Sequence, residues 1–214
     1  MSNRGCFITV EGTEGVGKTT NMDYTLELLQ KAGIEVVTTR EPGGTEIGEE
    51  IRSLLLGHKH DGMHDDTELM LMFAARAEHI AQVIRPALEQ GKWVMCDRFT
   101  DATYAYQGGG RGIDMQRIAA LENWVQGELR PDLTLLLDVP VEIGLERAGK
   151  RSAPDRFEKE KHDFFEKVRA MYLQRAREEA ERFRIIDASQ ALDDVRKQLQ
   201  QVLTEFLSTQ GYTA

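Results

Sequence analysis

The stretch EGTEGVGKTT, residues 11–20, most limits what this chain can become. It follows a short apolar run at 6–10 that reads as a buried strand. It precedes Met22, Leu26 and Leu29, which recur at helical spacing until Gly33 stops them. Gly12, Thr13, Glu14, Gly15, Val16, Gly17, Lys18 and Thr19 fill the pattern G-x-x-x-x-G-K-[ST], with Thr20 next. Glycines let the backbone curl until successive N–H groups face one anion, where side chains would block the approach. The start of the following helix adds a positive dipole end. Lys18 can reach outer phosphates, and the Thr19 hydroxyl suits Mg²⁺. In this strand–loop–helix context the segment predicts binding of a nucleoside triphosphate.

The rest of the chain alternates in the same way. Apolar runs at 34–38, 93–96, 133–137 and 184–186 read as further strands. Between them run helical patterns through Ile47, Ile51 and Leu55, through Met115, Ile118, Leu121 and Val125, and through Phe164, Phe165, Val168 and Tyr172. Leu69, Met72, Phe73, Ile80, Val83, Ile84 and Leu88 predict one long helix over 66–89, with a kink expected at Pro86. Leu192, Val195, Leu199, Val202 and Phe206 mark the last helix, and the tail from Ser208 is expected to fray. Residues 108–112 read as a flexible glycine loop. Strands that are continuous apolar runs imply burial on both faces and a parallel sheet. The expectation is a single α/β domain over 1–214, with a five-stranded parallel sheet wrapped by helices.

Net charge is −9, from 27 basic and 36 acidic side chains, so nucleic acid is not an expected partner. Cys6 and Cys96 lie inside strand-like runs and read as buried thiols of a reducing compartment. No apolar segment is long enough to span a membrane, and the run at 6–10 is too short for a signal peptide. A cytoplasmic location without membrane attachment is the expectation.

The triphosphate site alone leaves a kinase, a motor ATPase and a GTPase open. The chain has no N-K-x-D segment to specify guanine. Its third strand ends in Asp97-Arg98, one acid and one base, rather than in paired acids. Asp97 can serve Mg²⁺, and Arg98 falls at the carboxyl end of the sheet, where ligands bind.

EGTEGVGKTT, TREPGGTEIGEEIRSLLL, FAAR, DRF, AYQGGGRG, RPDLTLLLDV and DRFE together cover nearly the whole chain. In this combination the chain resembles the bacterial thymidylate kinases, P-loop kinases that phosphorylate dTMP to dTDP with ATP and Mg²⁺. The resemblance implies a three-layer P-loop kinase fold with a mobile lid at about 147–157, and a homodimer with interface faces on the helices at 66–90 and 114–129. It places Arg40, Arg52 and Arg98 around the acceptor phosphate, with Pro42 in the same loop, and arginine's fork suits phosphate oxygens. It makes Arg76 the reader of the base. Phe73, three residues before Arg76, is the expected stacking partner; Met72, four before it, is the alternative, since both offsets face Arg76 along a helix. Thr103 and Gln107 match further nucleotide contacts, Tyr106 the residue that crowds the sugar 2′ position, and Glu14 the contact to the 3′-hydroxyl.

Some members of the family carry a basic residue at the position of Gly15. Others bring arginine from the lid, and Gly15 puts this chain with them. Arg151 is then the expected transition-state cation beside Lys18, with Lys150 nearby, Arg147 near the ATP end and Arg156 a further contact. The histidines form no metal-ligand motif. Two rival readings stay open: a kinase of another nucleotide, and a nucleotide-binding regulator without turnover.

Overall fold

The computed structural model describes residues 4–57, 62–149, 156–157 and 160–212. In chain order the elements are β1 (Phe7–Glu11), α1 (Lys18–Lys31), β2 (Val36–Arg40), α2 (Glu46–Leu56), α3 (Asp65–His79), α4 (Arg85–Glu89) and β3 (Trp93–Asp97). Then follow α5 (Thr100–Thr103), α6 (Met115–Gln126), β4 (Leu133–Asp138), α7 (Val141–Ala148), α8 (His162–Glu178), β5 (Phe183–Asp187) and α9 (Leu192–Thr209).

All five strands are parallel, in the order β2-β3-β1-β4-β5. The expected α/β fold with a five-stranded parallel sheet flanked by helices is what the chain adopts. The three central strands are buried along nearly their whole length, as continuous apolar runs require, whereas edge strands β2 and β5 are partly exposed. One core layer joins Ile8, Val10 and Leu135 to Leu29 of α1 and to Val195, Leu199 and Leu203 of α9. On the opposite side Phe7, Val94 and Cys96 pack against Ile80, Ile84 and Leu88. Both cysteines are free and buried.

Three expectations are corrected. The long helix is not continuous over 66–89: it widens into a π-helical segment over Ile80–Ile84, just before Pro86, which cannot donate to the helix ladder. Residues 104–110 are also π-helical rather than a flexible loop. A Cβ on Gly109 would lie 2.8 Å from Met171 Cβ, and one on Gly110 2.4 Å from the Phe164 ring, so these glycines serve the close approach of α8. The tail continues in order through Tyr212, whose ring meets Trp93 edge-on at 5.5 Å.

Candidate active site

Strands β1 and β3 are neighbours, with Val10 in register with Asp97. The 12–17 loop therefore leaves the sheet beside Asp97 and Arg98. Gly17 caps α1 in the left-handed region. Gly15 also has positive φ, and a Cβ there would lie 1.8 Å from the Gly144 carbonyl oxygen. The start of α7 is pressed onto the loop, which leaves no room for any side chain at position 15. Val16 is a core residue, so only its backbone faces the loop interior, while Thr19 and Thr20 are exposed at the start of α1. Lys18 Nζ lies 3.4 Å from the carbonyl oxygens of both Gly12 and Thr13, across the loop. Burial, with the nearby Arg98 cation, lowers the pKa of Lys18.

Beside this loop lies a pocket of about 570 Å³, its open mouth included. Glu14, Pro42, Arg52, Arg76, Arg98, Thr103, Tyr106 and Gln107, all expected here, line it. Arg98 has φ +67, unusual for a residue with a side chain. Its backbone is pinned on both sides: Arg98 N–H donates to Val10 O at 3.0 Å, Cys96 Sγ to Arg98 O at 3.0 Å, and Phe99 N–H to Glu11 Oε1 at 2.7 Å. Its guanidinium pairs with Glu14 and donates to Tyr106 Oη at 2.9 Å. Burial opposes the charge on Arg98, yet Glu14 and its other neighbours raise its pKa well above the ordinary arginine value. Arg98 Nε is buried without a partner. Arg52 donates to Pro42 O at 2.9 Å, and its pKa is lowered by burial and by the Arg40 and Arg98 cations. Arg52 thus lies in the field of two further guanidinium groups, which suits an anion.

Arg76, which also lines the pocket, is 2% exposed. Its Nε–H donates to Glu41 Oε2 at 2.8 Å, and Nη2 donates to Phe99 O at 3.2 Å and to Thr103 Oγ1 at 3.0 Å. Nη1 has no partner. Gln107 donates to the fully buried Glu68 at 2.8 Å.

Two expected contacts are displaced. Phe73 lies in the core with Leu69, Tyr104, Ile113 and Ile118, and Met72 lines the pocket in its place. The two are neighbours on α3, and one residue turns a helix by about 100°, enough to exchange core for pocket. Arg40 does not line this pocket. It pairs with Glu49 at 2.9 Å and borders a second cleft with Thr19 and Asp97. Asp97 Oδ1 is buried without a partner. A hydroxyl and a carboxylate bordering one cleft are oxygen donors that fit a hard divalent cation.

Toward the lid, Arg147 holds the loop before α9 through the Ala188 and Ser189 carbonyl oxygens, at 2.8 and 3.4 Å. Lys150 and Arg151 lie outside the described residues. Arg156 is buried, pairs with Glu68 and donates to Leu55 O at 2.8 Å. Phe157 beside it lines the pocket. Sequence reasoning missed Glu41, Phe99 and Phe157 as pocket residues. Glu41 had a signal, the proline that follows it, whereas the other two became pocket residues only through tertiary packing.

Residues 10–199 match the thymidylate kinase family. The thymidylate kinase of Pseudomonas syringae pv. tomato (strain ATCC BAA-871 / DC3000) is 59% identical over 206 residues, 96% of this chain and 98% of that one. That of Pseudomonas putida (strain W619) is 59% identical over 201 residues, 94% and 97% of the two chains. The crystal structure of thymidylate kinase from Ehrlichia chaffeensis matches at a TM-score of 0.75 and 35% identity, over 94% of this chain and 99% of that one. A phosphate loop, a cation-lined pocket beside it and likeness over nearly the full length agree, and this chain belongs to the thymidylate kinase family.

Proposed function

We propose that this enzyme transfers the γ-phosphoryl group of ATP to the phosphate of dTMP, forming dTDP and ADP. One observation carries the reading. The pocket beside the loop is bordered by two arginines, each with one buried nitrogen unpartnered: Arg98 Nε and Arg76 Nη1. A nucleoside monophosphate has acceptors at both its ends, an anionic phosphate and a carbonyl-bearing base.

In this reading the 12–20 loop cradles the ATP phosphates with its backbone N–H groups, and Lys18 neutralises the outer ones. Arg98 and Arg52 hold the acceptor phosphate, and Glu14 and Tyr106 contact the sugar. Met72 covers the base that Arg76 reads. Thr19 and Asp97 are the residues that would hold Mg²⁺, which supplies charge neutralisation on the ATP phosphates. The acceptor oxygen is already anionic, so no general base is needed. Position 15 cannot carry a cation, which supports the assignment of Arg151 as the lid's contribution.

Dimerisation is part of the proposal. Met70 on α3 and Trp124 on α6 are 65% and 83% exposed, on two helices that pack against each other. Large apolar side chains left in water on such a face suit a second copy of the chain.

The test is ADP release with ATP and Mg²⁺ against dTMP, dUMP, UMP, CMP, AMP and GMP. Turnover concentrated on dTMP is expected. Turnover on another monophosphate overturns the base assignments, and ATP binding with no turnover on any acceptor overturns the reaction.

A further inference from the structure

The arginine at the base end of the pocket is itself held from behind. Glu41 gives one carboxylate oxygen to Arg76 and the other to His79, whose Nδ1 lies 2.9 Å from Oε1. His79 Nε2 lies 2.7 Å from Thr39 Oγ1. Arg76 and His79 sit three residues apart on α3, on adjacent turns of one face, so a single carboxylate reaches both. A carboxylate accepts, so Nδ1–H donates to Glu41, and the Thr39 hydroxyl serves Nε2 as donor or acceptor. A line of hydrogen bonds thus runs from the edge strand β2 to the pocket.

His79 and Glu41 are among the most enclosed polar groups of the fold, at 0% and 5% side-chain exposure. The turn after Pro42 is closed over them. A Cβ on Gly44, which has φ +82, would lie 2.7 Å from both the His79 ring and Thr39 Oγ1. Nothing in phosphoryl transfer uses this histidine. What it touches is the Glu41 carboxylate, which holds Arg76. Glu41, Phe99 O and Thr103 between them occupy two of the three guanidinium nitrogens and leave Nη1 as the donor still to be used.

We propose that His79 is a positioning residue for acceptor choice: by holding Glu41 it fixes the Arg76 guanidinium so that Nη1 is presented to a base carbonyl. The proposal rests on the assignment of this pocket to the acceptor nucleotide. A base with a carbonyl at position 4 accepts from Nη1. Cytosine carries an amino group there and meets donor with donor, which a buried site penalises.

The experiment compares wild type, His79→Leu, His79→Asn and Thr39→Val in steady-state ADP release, with dTMP and dCMP as acceptors and with ATP varied separately. His79→Leu is expected to raise KM for dTMP about tenfold, or ~1.4 kcal/mol. Its kcat and its KM for ATP should stay within about twofold, the pattern of lost acceptor binding. The preference for dTMP over dCMP should fall with it. His79→Asn, whose amide N–H can take the place of Nδ1–H, should recover most of both. An unchanged KM and preference in His79→Leu overturns the proposal. So does a general loss in which kcat and both KM values worsen together, the mark of a purely structural role. If His79→Leu does not fold, Thr39→Val carries the test: a rise of about threefold in KM for dTMP supports the proposal, and no change overturns it. Wild type with no preference for dTMP over dCMP would sink the pocket assignment itself. A wild-type preference that survives in every variant that folds sinks only the role of His79.

Discussion

Arg98 pairs directly with Glu14, and the Tyr106 hydroxyl touches both, at 2.9 Å from Arg98 Nη2 and 3.0 Å from Glu14 Oε1. One partner comes from the loop after β1 and the other from the end of β3. The pair therefore ties the phosphate loop to the pocket beside it. Removing Arg98 should affect both catalysis and acid stability.

For catalysis, Arg98→Ala is expected to lower kcat/KM for dTMP by about 10²–10³, the usual cost of losing a charge-stabilising donor. ATP binding, followed by calorimetry, should persist. For stability, burial pushes the Glu14 carboxyl up, but Arg98 and Lys18 bring it down to about 2, from an ordinary 4.5. A depressed carboxyl stabilises the fold fully above its unfolded pKa and loses that contribution as pH falls through the folded one. The melting-temperature advantage of wild type over Arg98→Ala should therefore shrink between pH 4.5 and about 2.

Glu11 behaves in the opposite sense. Burial, with the nearby Asp101 carboxylate, raises its pKa from 4.5 to about 8, although the Tyr172 hydroxyl and Phe99 N–H favour the ionised form. The unfolded chain loses this proton near 4.5 and the folded chain only near 8, so stability falls as pH rises through that window. Glu11→Gln can accept from Phe99 N–H and donate to Tyr172. Its melting temperature should rise relative to wild type from pH 5 toward pH 8.

Met72 and Phe73 should separate binding from stability. Met72→Ala is expected to raise KM for dTMP several-fold with little change in thermal stability. Phe73→Ala opens the core and should cost about 3–5 kcal/mol in denaturant unfolding. A Phe73→Ala variant that is stable but binds dTMP poorly would return the stacking role to Phe73.

Trp124→Glu should move the protein from dimer to monomer in sedimentation velocity at micromolar concentration. A charge introduced at a buried apolar contact is costly to desolvate. A wild type that sediments as a monomer would remove the α3–α6 face as the interface.

The local pattern of the chain was enough for the phosphate loop and the parallel sheet, and the resemblance to the thymidylate kinases implied most of the pocket. A glycine loop between an apolar strand and a helix has few other uses, and continuous apolar runs bury on both faces wherever they pair. The pocket residues were legible because the motifs that carry the resemblance include them, and their types suit phosphate and base chemistry. Other features had no local signature. One step along α3 decides between Met72 and Phe73, and periodicity cannot resolve one step on a helix with a broad apolar face. The glycines at 108–110 look like a loop until α8 lies against them. Glu41 follows Arg40 in the chain, yet it turns inward to Arg76 and His79, which are 35 and 38 residues away. Arg40 takes Glu49 instead. Sequence periodicity and motif spacing act through neighbours along the chain and so determined the elements and the chemistry. Pairing of buried charges acts through space, and only the folded chain decided it.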